Sequence, residues 1–136
     1  IPVLSAYENA EYVLLLQGVP AAKRRKQVMD LLEAVGLSDL HRRRPAELSG
    51  GQQQRVAIAR ALAAGPSLVL ADEPTANLDS HTGTELVELM RQLNHEREVT
   101  FIISSHDPKV IDRAERVVRL EDGKVVSDER RGAHAA

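Results

Sequence analysis

Two short apolar runs, Ser67-Leu68-Val69-Leu70-Ala71 and Val99 to Ser104, flank a segment in which Leu86, Leu89, Met90 and Leu93 recur at helical spacing. A continuous apolar run of this length is the signature of a strand buried on both faces. Strands separated by a helix imply a parallel sheet with a crossover connection. The chain is therefore predicted to be α/β. In open parallel sheets, ligands sit at the carboxyl ends of the strands. The first run ends in Asp72-Glu73 and the second leads to His106.

The sequence before Gly65 reads as helical. Ser5 and Glu8 form an S-x-x-E capping box, which satisfies two orphan N–H groups at a helix start. A helix is predicted from Ala6 to about Gln17, ended by Gly18 and Pro20. A second runs from about Ala21 to Val35, with Val28, Leu31, Leu32 and Val35 on one face and Gly36 closing it. Leu37 to Leu48 is polar, basic and broken by Pro45, and reads as a connecting loop. Ser49 can cap a further helix running to Gly65-Pro66. Downstream, a helix is expected from near Ser80, and Asp107-Pro108 caps and starts a short one. Arg116 to Glu121 and Lys124 to Ser127 form a hairpin around Asp122-Gly123. This divides the chain into a helical part, 1–65, an α/β part, 66–127, and a flexible tail, 128–136.

Composition narrows the function classes. The 136 residues, 43% of them hydrophobic, suffice for one domain with a real core. The formal charge is 18 − 20 = −2, with no overall basic excess to attract nucleic acid or an anionic membrane. Basic residues do cluster at Lys23 to Lys26 and Arg42 to Arg44. No aromatics interleave with them to stack on bases, so they read as a solvated helix face and a charged loop. Without cysteine, disulfides, iron–sulfur clusters and thiolate zinc sites are excluded. The longest apolar run, near Tyr12 to Leu16, is too short for a bilayer span or a signal peptide.

Three constellations carry chemistry. A carboxylate at a strand tip such as Asp72 can hold Mg²⁺, because hard cations take oxygen ligands. Its neighbour Glu73 can act on water as a general base. A bare Asp-Glu pair would more often be two solvated acids, but here a stiff turn, Pro74-Thr75-Ala76-Asn77-Leu78-Asp79, follows with another acid. In Leu48-Ser49-Gly50-Gly51-Gln52, two glycines bare the N–H groups of a helix N-terminus, where the dipole favours an anion. Glycine weakens a first turn by roughly 1 kcal/mol relative to Ala, and close approach of a phosphate would explain two of them. His106, beside the carboxylate pair, could hydrogen-bond a γ-phosphate and the attacking water. His41, His81, His95 and His134 lie in polar contexts and read as surface residues.

Together these segments resemble the ATP-binding cassette (ABC) ATPases. Leu48 to Arg55, LSGGQQQR, resembles their signature motif; Leu68 to Glu73 the Walker B strand; Pro74 to Asp79 the D-loop; and Ile103 to Asp107 the switch-histidine loop. The resemblance covers essentially the whole chain. Ile1 to Val19 and Ala71 to Gly83 look most like the lipoprotein-release and macrolide-export branch. The resemblance implies a partial P-loop NTPase (RecA-like) core joined to the ABC helical subdomain. It further implies that Asp72 helps hold Mg²⁺, that Glu73 polarises the hydrolytic water, and that His106 contacts the γ-phosphate of ATP. Ser49, Gly50, Gly51 and Gln52 would touch the γ-phosphate of ATP held by the opposite subunit, and Asp79 would connect the two sites. The partners implied are a second nucleotide-binding domain, head to tail, and a transmembrane permease. The implied location is cytoplasmic, on the inner face of the membrane.

One departure is large. A phosphate loop needs G-x-x-x-x-G-K-[ST], and the only Gly-Lys here, Gly123-Lys124, sits in the predicted hairpin. The chain also opens Ile1-Pro2-Val3-Leu4 without an initiator Met. It is therefore expected to be the C-terminal portion of a nucleotide-binding domain, inactive alone and prone to self-association through exposed sheet edges. The alternatives are a cassette ATPase of DNA repair or translation, and a non-catalytic interaction module naturally without the loop. The compact signature favours transport over the former, and the retained Asp72, Glu73 and His106 weigh against the latter.

Overall fold

A computed structural model describes residues 1–131. His134 and most of the expected tail lie outside the described residues. Three helices come first: α1 (Ala6–Leu16), α2 (Ala21–Ala34) and α3 (Gly50–Ala63). Strand β1 (Leu68–Asp72), helix α4 (Ser80–Arg97) and strand β2 (Thr100–Ser104) follow, then α5 (Pro108–Arg113) and the strands β3 (Arg116–Glu121) and β4 (Lys124–Arg130).

The capping box at Ser5 forms as expected, with Glu8 N–H donating to Ser5 Oγ and Ser5 N–H donating to Glu8 Oε1. The loop between α2 and α3 contains two short 3₁₀ turns, Ser38–Leu40 and Pro45–Glu47. It is less detached than its polarity suggests. Its His41 and Arg43 carbonyls accept from the Tyr7 and Ala6 N–H groups at the start of α1, and Leu37 and Leu48 at its ends are buried. His41 Nδ1 bonds the Ser38 carbonyl at 2.8 Å, so this histidine is half-buried in the loop.

Helix α3 packs on α1, α2 and α4. One continuous core runs from Ala6 and Leu14 through Val28, Leu32, Val56 and Leu62 to Leu86, Leu93 and Val99, spanning the helical and α/β parts alike. The Lys23 to Lys26 cluster is not simply a solvated face. Arg24 is mostly covered, donating to Glu11 Oε2 at 2.8 Å and to the Val19 carbonyl at 2.6 Å, and so ties α2 to α1. The guanidinium of Arg25 lies 5.6 Å from the Tyr7 ring centroid.

Strands β1 and β2 are parallel, in register from Leu68 opposite Thr100 to Asp72 opposite Ser104, with α4 as the crossover. The expectation of burial on both faces fails. Val69 is buried and Phe101 and Ile103 pack against the core, but Leu70 is 73% exposed and Ile102 54%. The helices cover one side of this two-stranded sheet, and alternate side chains therefore face outward. Strands β3 and β4 form the expected antiparallel hairpin, with Asp122 (φ 50°) and Gly123 (φ 76°) in the turn, the conformation a two-residue type I′ connection needs. A bulge lies between Arg119 and Leu120. The hairpin is longer than expected. Asp128, Glu129 and Arg130, assigned to the tail from the sequence, belong to β4, and Arg116 holds Asp128 through two hydrogen bonds. Among the described residues, no helix is long and apolar enough to cross a membrane.

Candidate functional site

The carboxyl ends of the parallel strands bring Asp72, Glu73 and His106 together. Register sets Asp72 opposite Ser104, whose hydroxyl donates to Asp72 Oδ1 at 3.0 Å. Glu73 N–H then donates to the Ser104 carbonyl at 2.8 Å, carrying the pairing one residue past the strand. At Glu73 the backbone turns into the left-handed region, φ 47°, which a non-glycine residue occupies only when its surroundings hold it there. Here the Ser104 carbonyl holds its N–H and Ala76 N–H donates to its carbonyl at 3.1 Å. The side chain so aimed meets His106, with Nδ1 to Oε1 at 2.8 Å. The imidazole is otherwise 92% exposed.

Below this pair lies a second tie. The Thr75 hydroxyl donates to Asp107 Oδ2 at 3.0 Å, and Asp107 Oδ1 accepts from Lys109 N–H at 3.0 Å as the cap of α5. The Lys109 N–H foremost, then the Thr75 hydroxyl, hold the Asp107 carboxyl below the usual aspartate range. In the sequence alone Thr75 is part of a turn, Asp107 a cap and Ser104 a strand end. Only the register, which sets Asp72 beside Ser104, would have pointed to the last of these.

The second constellation opens α3. Gln52 N–H donates to Ser49 Oγ at 3.2 Å and Ser49 N–H to Gln52 Oε1 at 2.9 Å. This leaves the Ser49 hydroxyl proton and the Gln52 side-chain NH₂ without a partner among the described residues. Gly50 is exposed and Gly51 is buried. Gly51 also has a packing reason to be glycine: a Cβ there would collide with Cγ2 of Thr82 in the first turn of α4. Gly50 lies against Leu78, whose Cδ2 would be 3.3 Å from an added Cβ. The first turn of α3 thus abuts the segment that carries Asp79. That carboxylate caps α4 by accepting from Thr82 N–H at 3.3 Å, and the Thr82 side chain foremost, then its N–H, hold it below the usual aspartate range.

The donor set can be tested against a metal and a nucleotide. Among the described residues, no group of three His, Cys, Asp or Glu side chains could hold a metal alone. An exposed strand-tip carboxylate beside a hydroxyl does suit Mg²⁺, which takes one or two carboxylates and completes its shell with water and phosphate oxygens. Gly123-Lys124 offers no phosphate cradle, being the turn of the hairpin.

The ABC transporter family model matches residues 1–76. The chain belongs to this family. An uncharacterized ABC transporter ATP-binding protein of Thermotoga maritima is 50% identical over 97% of this chain and 56% of its own length. The lipoprotein-releasing system ATP-binding protein LolD of Anaeromyxobacter dehalogenans is 47% identical over 94% of the chain and 54% of its own. The macrolide export ATP-binding/permease protein MacB 1/2 of Paracoccus denitrificans is 49% identical over 98% of the chain and 20% of its own. Both branches expected from the motifs are thus among the relatives. The chain spans about half the length of the ATP-binding relatives. Among solved structures, the dimeric post-hydrolysis state of the ATP-binding cassette MJ0796, bound to ADP and Pi, superposes with a TM-score of 0.80 at 42% identity, over 97% of this chain and 59% of that one. The ABC cassette fold expected from the sequence is the fold observed.

Proposed function

We propose that the chain serves in the ATP-binding and ATP-hydrolysing subunit of an ABC transporter that powers export or membrane extraction of a substrate. The observation that carries this reading is the 2.8 Å contact between Glu73 and His106 at the carboxyl ends of two parallel strands. Asp72, which accepts from Ser104, would share in holding Mg²⁺, and the bound ion would neutralise charge on the phosphates. Glu73 orients and polarises the attacking water. In its doubly protonated form His106 has two donors, so Nδ1 can hold Glu73 while Nε2 meets a γ-phosphate oxygen.

Ser49, Gly50, Gly51 and Gln52 form the surface presented to ATP on the opposite subunit of a head-to-tail dimer. Within it Gly51 also packs α3 closely on α4, and the free donors of Ser49 and Gln52 add side-chain contacts. Asp79, one turn from Gly51 across the α3–α4 contact, links the two sites. A permease subunit anchors the protein at the inner face of the membrane. The 136 residues alone lack the phosphate cradle, and catalysis of phosphoryl transfer rests on such positioning. They are expected neither to bind ATP tightly nor to turn it over.

The test is ATP hydrolysis by the complete gene product with Glu73→Gln. Loss of a general base lowers turnover by about 10²–10⁴-fold, with ATP binding retained. Unchanged turnover would overturn the role of Glu73.

A further inference from the structure

Two contacts join the loop after β1 to the loop after β2. The outer one, Glu73 to His106, is exposed. The inner one, Thr75 to Asp107, lies two residues on in the first loop and one residue on in the second, and Thr75 is only 6% exposed. The inner contact is tied on every side. Asp107 N–H donates to Ser105 Oγ at 3.0 Å and Asp107 Oδ1 caps α5. The Thr75 carbonyl accepts from Leu78 N–H at 3.1 Å. The Thr75 side chain also packs on α4, where a Cβ added to Gly83 would sit 3.5 Å from Thr75 Cβ. The imidazole of His106 has no comparable support, being 92% exposed with Glu73 as its partner. An exposed side chain on a loop gives up rotamer freedom to hold one contact, so its geometry depends on where the backbone on either side is held.

We infer that Thr75 is a positioning residue: through Asp107 it fixes the loop that carries His106 and so sets the imidazole against Glu73. This rests on the reading of Glu73 and His106 as the hydrolytic pair, but the contact itself can be measured without turnover. A β-hydroxyl is what the place demands. Valine keeps the methyl packing on Gly83 and leaves the Asp107 carboxylate without its buried donor, whereas serine keeps the donor and loses only the methyl.

The experiment follows the His106 ring nitrogens by NMR in the protein labelled with ¹⁵N-histidine. Glu73→Gln displaces the Nδ1 resonance, and that displacement measures the coupling. In a Thr75→Val background the displacement should fall to less than about half its wild-type size, the reading a double-mutant cycle gives when an intermediary is removed. Thr75→Ser should retain it. Should Thr75→Val fail to fold, Asp107→Ser decides by the same criterion, because a serine hydroxyl can still cap α5 but has no second oxygen to reach Thr75. A full displacement in Thr75→Val (or, where that does not fold, in the Asp107 variant), or none in the wild type, overturns the inference. Unaltered ATP turnover in Glu73→Gln with the coupling intact would instead remove the catalytic reading and leave the positioning one standing.

Discussion

A Cβ placed on Gly51 would collide with Cγ2 of Thr82, while Thr82 Cβ stands 4.0 Å away. One methyl group therefore forbids a side chain at the second glycine of the signature segment. Threonine is branched at Cβ and has few rotamers to escape into. Gly51→Ala should cost about 1–3 kcal/mol in overpacking, offset by the roughly 1 kcal/mol that alanine gains over glycine in a helix. Thr82→Ser deletes the obstructing methyl, so Gly51→Ala/Thr82→Ser should recover most of the loss in a urea titration. A single Gly51→Ala variant as stable as wild type would show that the two helix starts separate freely.

Arg24 and Glu11 form a pair whose side chains are only 17% and 15% exposed. Removing one partner leaves the other charge largely out of water, and the Val19 carbonyl loses its donor as well. Arg24→Ala should therefore destabilise by about 1–3 kcal/mol, more than an exposed pair and less than a fully buried one. The exposed pair Lys26–Asp30 serves as the internal control, and Lys26→Ala should shift the unfolding midpoint hardly at all. Equal effects would place Arg24 on a solvated face after all.

The legible parts of this fold are those written over three or four residues. Ser5 with Glu8, Ser49 at the head of α3 and Asp107 before Pro108 each need only a near neighbour to be satisfied, and each does what its local pattern requires. The Thr75–Asp107 and Glu73–His106 contacts join residues more than thirty positions apart, and no local pattern encodes which strand tip meets which. The apolar run at β1 misled for a related reason. Leu68 and Leu70 look the same in sequence whether or not a layer covers them, and the exposure is a property of what packs on the sheet. Gly51 shows the reverse case, where the residue type was informative and the partner, Thr82, was not.

Asp79 and Asp107 each cap a helix, and hydrogen bonds from the Thr82 and Lys109 groups keep both carboxyls below the ordinary aspartate value. A depressed folded pKa means that the native state holds its protons less tightly than the unfolded chain. The resulting stabilisation is complete above the unfolded value of about 3.9 and is lost as pH falls through the lower folded values. Urea midpoints should therefore hardly change from these groups above that value and drop below it. In Asp107→Asn the acid-side slope should be shallower than in wild type. A wild-type slope in that variant would mean that Asp107 titrates alike folded and unfolded.

Leu70 and Ile102 face each other across the β1–β2 register and are 73% and 54% exposed, with Leu68 at 47% beside them. Apolar side chains in one contiguous face of a short sheet form an association surface, and the unpaired edges of the two strands add hydrogen-bonding groups to it. The 136-residue chain should therefore associate with itself as concentration rises. Leu70→Lys puts a charge at the centre of the face and gives up little packing, because substitutions at exposed positions usually stay within about 0.5 kcal/mol. Light scattering should show a lower mean mass for Leu70→Lys at the same concentration, with the melting temperature preserved. The matching change on the covered side, Val69→Lys, forces a charge into the core and should instead unfold the chain. An unchanged mass in Leu70→Lys would assign any association to another surface, such as the apolar hairpin side chains Leu120 and Val125, which are 65% and 63% exposed.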